Sequence, residues 1–491
     1  MLTLVHRARP RLVRFTSDHT FAPALAVLIG LGGCVPTYHG ARASHFVSGP
    51  PLLDDAPSTQ RVAQSAISSG ALPPSAKATD DLGAIPVGLP QVIRACVLSD
   101  PRILAALESV EHARAEHTTA SLLPNPSLLV SRTLVPLPGS PFNAETRQGG
   151  PPQLDIGLSY SLDTLIFGTR SAAMEATRLG VDVAFAEYAD VARQRILEAI
   201  HAYYDVLEAR EILRLTREEV EQLGRLHSLT ERRVQLGGIG TVELDRIRVA
   251  LSGGRRRLLR AKAKLDNARS RLRASLGRAM GAERADADGT LEIDSPPAPP
   301  DLRSAMQLAE EHRPDLLALQ RQVVRLRADL TREQRTAWPS LSVSAGYTRQ
   351  FQKRAIGFPD ASSWGAGLEM SLPIFDRNQG NIARAQSAVR QAELLLSAAQ
   401  IDLRAEVEQA IRDYNVAYQL VSTLDEQALA AASSARQRIE EAYGLGGRTL
   451  LEVLDAQAAF REVFREHVEA RAELLRALHR VNAVVGTEVL R

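Results

Sequence analysis

Two glycine-rich hinges, 209 residues apart, constrain this chain more than any other feature. The first reads Val234-Gln-Leu-Gly-Gly-Ile-Gly-Thr-Val-Glu-Leu-Asp245 and the second Tyr443-Gly-Leu-Gly-Gly-Arg-Thr-Leu-Leu-Glu-Val-Leu-Asp455. Sliding one onto the other superposes Gly237 on Gly446, Gly238 on Gly447 and Glu243 on Glu452. Each lies between a very long helical pattern and a second helical run. Glycine takes positive φ without steric cost, so each hinge can stop a helix and reverse the chain. The chain is therefore read as an internal duplication built on two helix reversals. Glu452 and Asp455 then share one face of the first turn of a returning helix, at the positive end of its dipole.

Composition places the chain among folding, charge-balanced sequences. Of 491 residues 45% are hydrophobic, and the formal net charge is only +2, which argues against a nucleic-acid partner. The run Arg255-Arg256-Arg257 reads as a solvated helix face. Near the N-terminus, Arg7, Arg9, Arg11 and Arg14 precede an apolar stretch from Phe21 to Leu31, too short for a mature membrane span. Residues 1–33 thus read as a secretory signal. Leu31-Gly-Gly-Cys34 resembles a lipobox, which would make Cys34 the lipidated mature N-terminus. Cys96 would then be left alone, without a disulfide partner, as a small core residue.

Residues 34–88, rich in Pro, Ser, Ala and Gly, are expected to form an extended linker. Repeat one is placed at 89–281, a connector at 282–300 and repeat two at 301–491. Each repeat opens with a helix containing a proline motif, at Pro101 and at Pro314, and that helix should stop at a second one, Pro124 or Pro339.

Period-two alternation follows each stop. Leu154, Ile156, Leu158 and Tyr160 alternate with Asp155, Gly157 and Ser159; Leu341, Val343, Ala345 and Tyr347 with Ser342, Ser344 and Gly346. Trp364, Ala366, Leu368 and Met370 alternate with Gly365, Gly367 and Glu369. Leu128, Val130 and Leu134 give a weaker strand, with Arg132 out of pattern. A half-buried soluble sheet would alternate in the same way, but strands of about nine residues also suit a membrane barrel with a polar lumen. The secretion signal and the helices favour the membrane.

Long helices come next. Phe185, Ala192, Ala199, Val206, Leu213, Val220, His227 and Val234 recur every seven residues, with Tyr188, Ala202, Ala209, Thr216, Leu223 and Thr230 as seam partners; so do Ile382, Val389, Leu396, Leu403, Ala410, Ala417, Leu424 and Ala431. This is coiled-coil spacing, with Arg195 an exception on the seam and Gly253-Gly254 a candidate kink. A helix of about 65 residues would reach about 100 Å.

Catalytic signatures are missing. The sequence contains no HExxH, GxSxG, Walker A or paired CxxC pattern, and His112 and His117 do not share a helix face. No enzymatic activity, metal site or cofactor is expected.

The helix–strand–strand–long-helix–hinge–helix plan, repeated, and the hinge Tyr443-x-x-Gly446-x-Arg448-Thr449-x-x-Glu452-Val-Leu-Asp455 resemble the TolC-like outer membrane efflux family over essentially all of Leu89–Val485. Leu372-Pro-Ile-Phe-Asp-Arg-Asn-Gln-Gly-Asn-Ile382 looks like the branch serving heavy-metal exporters. The resemblance implies a mainly α fold with a transmembrane β-barrel portion. Three chains would close a twelve-stranded barrel continuous with a twelve-helix periplasmic tunnel. It further implies a passive conduit in the outer membrane lipid that docks on a periplasmic adaptor and an inner-membrane pump, for metals one of the RND type. By position, Glu452 and Asp455 match the family's acidic gate ring, Tyr443 and Arg448 its tethers, and Glu243 the acidic partner of the tyrosine. Val242 stands where a hydroxyl partner for Arg448 would be expected. Crowding in the ring should raise some carboxylate pKa values. The rival reading is a lipid-anchored periplasmic coiled-coil scaffold that conducts nothing.

Overall fold

The computed structural model describes residues 85–133, 151–279, 281–293, 295–353, 357–423 and 426–490. The signal segment, Cys34, most of the expected linker and the loop at 137–150 lie outside the described residues. The first repeat comprises β1 (Ile85–Val87), α1 (Leu89–Ser99), α2 (Pro101–Ser121), β2 (Ser127–Thr133), β3 (Gln153–Ser161), a short α3 (Asp163–Ile166), α4 (Thr169–Gln235) and α5 (Thr241–Ser275). After β4 (Ala285–Ala287) the plan returns as α6 (Leu302–His312), α7 (Pro314–Thr336), β5 (Leu341–Gln350), β6 (Ala361–Met370), α8 (Gln379–Thr423), α9 (Glu426–Gly444) and α10 (Leu450–Val485).

Each proline motif begins a helix rather than sitting inside one. Pro101 and Pro314 occupy the first turns of α2 and α7, where a missing amide donor costs nothing. Asp100 caps α2 by accepting from the Arg102 amide at 2.8 Å. Its other carboxylate oxygen accepts from Arg195 at 2.8 Å, which accounts for the arginine on the α4 seam: it neutralises a carboxylate that is 2% exposed. The middle of that seam behaves as its spacing predicts. Ala192, Ala199, Val206 and Leu213 are buried and Phe185, Val220, His227 and Val234 half-buried. On α8 Val389, Leu403, Ala410 and Ala417 are buried and Ile382 and Leu396 half-buried, whereas Ala431 on α9 is exposed and Leu424 lies outside the described residues. Cys96 is fully buried, and burial pushes its thiol up to about 12, so it is an inert packing residue.

The α5 helix runs unbroken through Gly253-Gly254. A Cβ on Gly254 would sit 3.0 Å from Leu223 and 3.3 Å from Val220 of α4, so this glycine serves close helix approach rather than a kink. Two glutamates of α4 clamp the bundle. Glu208 accepts from Lys264 of α5 at 2.6 Å and Arg476 of α10 at 2.8 Å. Glu219 likewise takes Arg257 of α5 and, at 2.7 Å, Arg461 of α10.

The segments read as linker and connector meet. β1 pairs in parallel with β4, Ile85 opposite Ala285 and Val87 opposite Ala287. Three-residue strands without alternation carry no periodic signal. At the strand-to-helix corner of repeat two, Asn378 takes φ +58° and donates to the Glu333 carbonyl at 2.8 Å, tying the start of α8 to α7.

The four longer strands form one antiparallel sheet in the order β2-β3-β5-β6. Its register puts Ile156 opposite Tyr347, Leu158 opposite Ala345, and Tyr347 opposite Trp364, so the alternating apolar residues of all four strands share a face, with Leu129 of β2, opposite Gly157, the exception on the other. Asp155, Gly157, Ser159, Ser344 and Gly367 share the other. The apolar face is bare: Leu128 is 69% exposed, Trp364 75% and Leu368 69%. A soluble sheet would cover such a face, and among the described residues no helix does. Among the described residues no helix is long and apolar enough to cross a membrane.

Candidate channel gate

The two hinges fold by the same hydrogen bonds. Gly237 and Gly446 take φ +72° and +84°. The Gly238 amide donates to Arg233 O at 2.9 Å and that of Gly237 to Val234 O at 3.0 Å; Gly447 and Gly446 donate to Ala442 O and Tyr443 O at the same distances. Each is a Schellman closure, in which the orphan carbonyls of the last turn are satisfied as the chain turns back. The hinges then pack side by side. Leu223, Leu226, Ile247, Tyr443, Leu450 and Val453 form one buried cluster drawn from both helical hairpins.

Tyr443 sits inside that cluster, 2% exposed. Its hydroxyl meets the buried Thr230 hydroxyl of α4 at 2.8 Å. Arg233 donates to the Tyr443 carbonyl at 2.9 Å while its guanidinium lies 5.0 Å from the ring centre. Within the chain, therefore, the partner of Tyr443 is Thr230 and not Glu243. Glu243 instead pairs at 3.5 Å with Arg246 on its own helix, and its second carboxylate oxygen is buried without a hydrogen bond. Thr230 was legible only as a seam position, and Arg233 carried no signal beyond its proximity to the glycines.

Glu452 and Asp455 differ in kind. Glu452 completes a capping box with Thr449: one oxygen accepts from the Thr449 amide at 2.8 Å and hydroxyl at 3.1 Å. Its other oxygen accepts from Arg448 at 2.8 Å. Arg448 thus finds its partner at Glu452, and Val242 is 62% exposed without a role in holding it. The backbone amide of Thr449 and the Arg448 guanidinium hold the Glu452 carboxyl below the ordinary glutamate value. The reason is local: within one chain its nearest partners are donors, not other carboxylates. Asp455 lies one turn on, exposed, with no hydrogen bond or ion pair among the described residues. Repeat one lacks the capping box because Gly240 stands where Thr449 stands and offers no side chain to the Glu243 amide.

Among the described residues no three His, Cys, Asp or Glu side chains gather as a metal site would require. What the fold presents is a pair of long helical hairpins, closed at adjoining hinges, that runs into a sheet with a bare apolar face and a small polar one. Such a chain is of the channel-forming class. A family model described as outer membrane efflux protein matches residues 92–278 and again 305–487, so the chain belongs to the outer membrane efflux protein family. The double match falls on the two repeats.

The chain is 26% identical over 405 residues to the cobalt-zinc-cadmium resistance protein CzcC of Cupriavidus metallidurans, covering 82% of this chain and 90% of that one. In fold it is similar to the CusC channel protein, with a TM-score of 0.65 at 17% identity over 84% of this chain and 95% of that one. It is also similar to the Campylobacter jejuni CmeC outer membrane channel, with a TM-score of 0.68 at 16% identity over 85% and 94%. The chain is an outer-membrane channel component of a tripartite efflux system.

Proposed function

We propose that three copies of this chain close a twelve-stranded barrel above a twelve-helix tunnel, and that this conduit passes heavy-metal cations delivered by a periplasmic adaptor and an inner-membrane pump. The bare apolar sheet face carries the reading. Strands β2 and β6 each keep one free edge, which hydrocarbon cannot satisfy, so several sheets have to join edge to edge. Large apolar residues on α8, Leu394 at 72% exposure and Ile401 at 70%, are seven apart and give the tunnel a matching uncovered seam for a neighbouring copy. The metal cargo rests on the similarity to CzcC and on the corner at Leu372–Ile382.

In this reading the gate lies at the hinges. Asp455 supplies the ring charge, with Glu452 beside it already engaged by Arg448 and Thr449. Tyr443, Thr230 and Arg233 hold the second hinge against the first. Cys34 is the lipid anchor, the residues from it to β1 the tether, and energy enters at the pump. Planar-bilayer recording of the purified full-length protein tests the proposal. Cation-selective steps are expected, weakening as salt shortens the Debye length to about 8 Å near 0.15 M. A protein that assembles but conducts nothing would instead be the lipid-anchored scaffold.

A further inference from the structure

Arg132 stands alone as a charge on the apolar face of β2, and the sheet register shows what it stands beside. The row across the four strands reads Arg132, Leu154, Arg349, Ser362. The next row on the same face reads Val130, Ile156, Tyr347, Trp364, and the one after it Leu128, Leu158, Ala345, Ala366. The Tyr347 and Trp364 rings lie 5.2 Å apart. Moving along the strands, this face therefore passes from aliphatic to aromatic to basic. That is the order in which a lipid-facing surface leaves hydrocarbon for headgroups. The basic row is at the end of the strands remote from the helices, since α2, α4, α7 and α8 all join the opposite end.

Both guanidiniums reach the surface, and only Arg349 has a carboxylate partner among the described residues. Arg132 is exposed and has no ion pair among the described residues. Arg349 is exposed, stacks 5.3 Å from the Phe351 ring centre and pairs with Asp360 at 3.6 Å, a solvent-exposed pair that a phosphate can share or displace. The nearby Asp155 points to the other face, where Thr348 and Gln153 each donate to it at 2.7 Å. Arg132 and Arg349 sit two strands apart, about 10 Å at the backbone, a span that two phosphates of one headgroup can bridge. The guanidinium fork suits phosphate oxygens.

We propose that Arg132 and Arg349 form a basic collar that binds the phosphates of outer-leaflet lipid headgroups, an inference that rests on the apolar face of the sheet being lipid-facing. A phosphorylated glycolipid is the occupant. To test it, full-length protein is reconstituted in phosphatidylcholine vesicles containing either bis-phosphorylated lipid A or its dephosphorylated form, and retained lipid is measured by native mass spectrometry. Wild type should retain the phosphorylated form preferentially. The double variant Arg132→Gln with Arg349→Gln should lose about tenfold of that preference, and Arg132→Lys with Arg349→Lys should recover part of it. Equal retention by wild type and the glutamine variant would overturn the collar. So would displacement of the lipid by inorganic phosphate at matched ionic strength, which would make this a free-anion site. Insertion into pure phosphatidylcholine checks the underlying barrel on its own: a chain that inserts into no vesicle fails there, whereas one that inserts without preferring phosphate fails only at the collar.

Discussion

The hydroxyls of Thr230 and Tyr443 meet at 2.8 Å in a pocket closed to water, one from the end of α4 and the other from the end of α9. This bond, with Arg233 on the Tyr443 carbonyl, joins two hinges that the sequence shows only as copies of each other. Tyr443→Phe should cost little stability, about 0.5–1.5 kcal/mol, because Thr230 keeps its bond to the Leu226 carbonyl. Removal of the cross-hinge bond should raise single-channel conductance, and Thr230→Val should do the same. Arg448→Ser should not match them, since among the described residues the hydrogen bond and ion pair of Arg448 go to Glu452. Conductance of the three variants decides whether Thr230 or Arg448 is the tether.

Asp455 and Glu452 should separate under mutation. Asp455→Ala is expected to reduce cation selectivity with no change in thermal stability, as its carboxylate has no partner among the described residues. Glu452→Ala should destabilise the start of α10 through loss of the capping box. The pH dependence follows from the same contacts. The Glu452 value is depressed in the fold, so its contribution is present above the ordinary glutamate value of 4.5 and is lost as pH falls through the lower folded one. Reversal potentials and melting curves of the two variants check both halves.

The glycines at the turns are constrained by conformation rather than by space. Gly237 has no atom within 4 Å of where a Cβ would lie, yet holds φ +72°, and Gly446 at +84° meets only the flexible end of Arg233 at 3.5 Å. Gly446→Val should therefore cost about 1–2 kcal/mol or more, whereas Gly446→Asn should be milder because asparagine tolerates this region. Chemical denaturation of the two variants gives the comparison.

What was legible and what was not divides along physical lines. Hinge glycines, period-two faces and heptad seams are local patterns, and Gly446, Leu158 and Val206 stand where those patterns put them. The Thr230–Tyr443 bond and the Asp100–Arg195 pair join residues far apart in sequence, so no spacing could reveal them. Arg195 was visible only as an exception whose partner had to come from elsewhere. Glu243 shows the limit of the duplication: it aligns with Glu452, but Gly240 in place of Thr449 removes the cap that would have fixed it.

The sheet faces should tolerate charge unequally. Leu368 lies on the apolar face between rows led by Ala366 and Met370, opposite Val343. Leu368→Arg should cost about 2–4 kcal/mol of insertion stability near the bilayer midplane. Ser344→Asn, on the other face, should be nearly neutral. Heat-modifiability of the assembled form on gels reports both, and equal tolerance would mean that the faces are not divided between lipid and lumen.

The last prediction concerns the interface of α4 and α10, where two imidazoles are held neutral. Burial pushes His479 down to about 4, with His201 adding to the effect, and Tyr204 meets its Nε2 at 3.3 Å and stacks on the ring. His201 is lowered too, by burial first and then by Arg476; Asp205 opposes the shift and Arg480 reinforces it. The Nε2 of His201 is buried without a hydrogen bond. Both histidines bind a proton less readily in the fold than in the unfolded chain, whose value is the ordinary 6.5. Their contribution to stability is therefore complete above 6.5 and is lost as pH falls towards 4. Acidification puts positive charge beside Arg476 and Arg480, and Asp205 is already engaged by Arg271 and Arg476. The melting temperature of wild type should fall across this window, and His479→Gln, which cannot be charged, should fall less steeply. Parallel pH profiles for the two proteins would show that the imidazoles are not what loosens this interface.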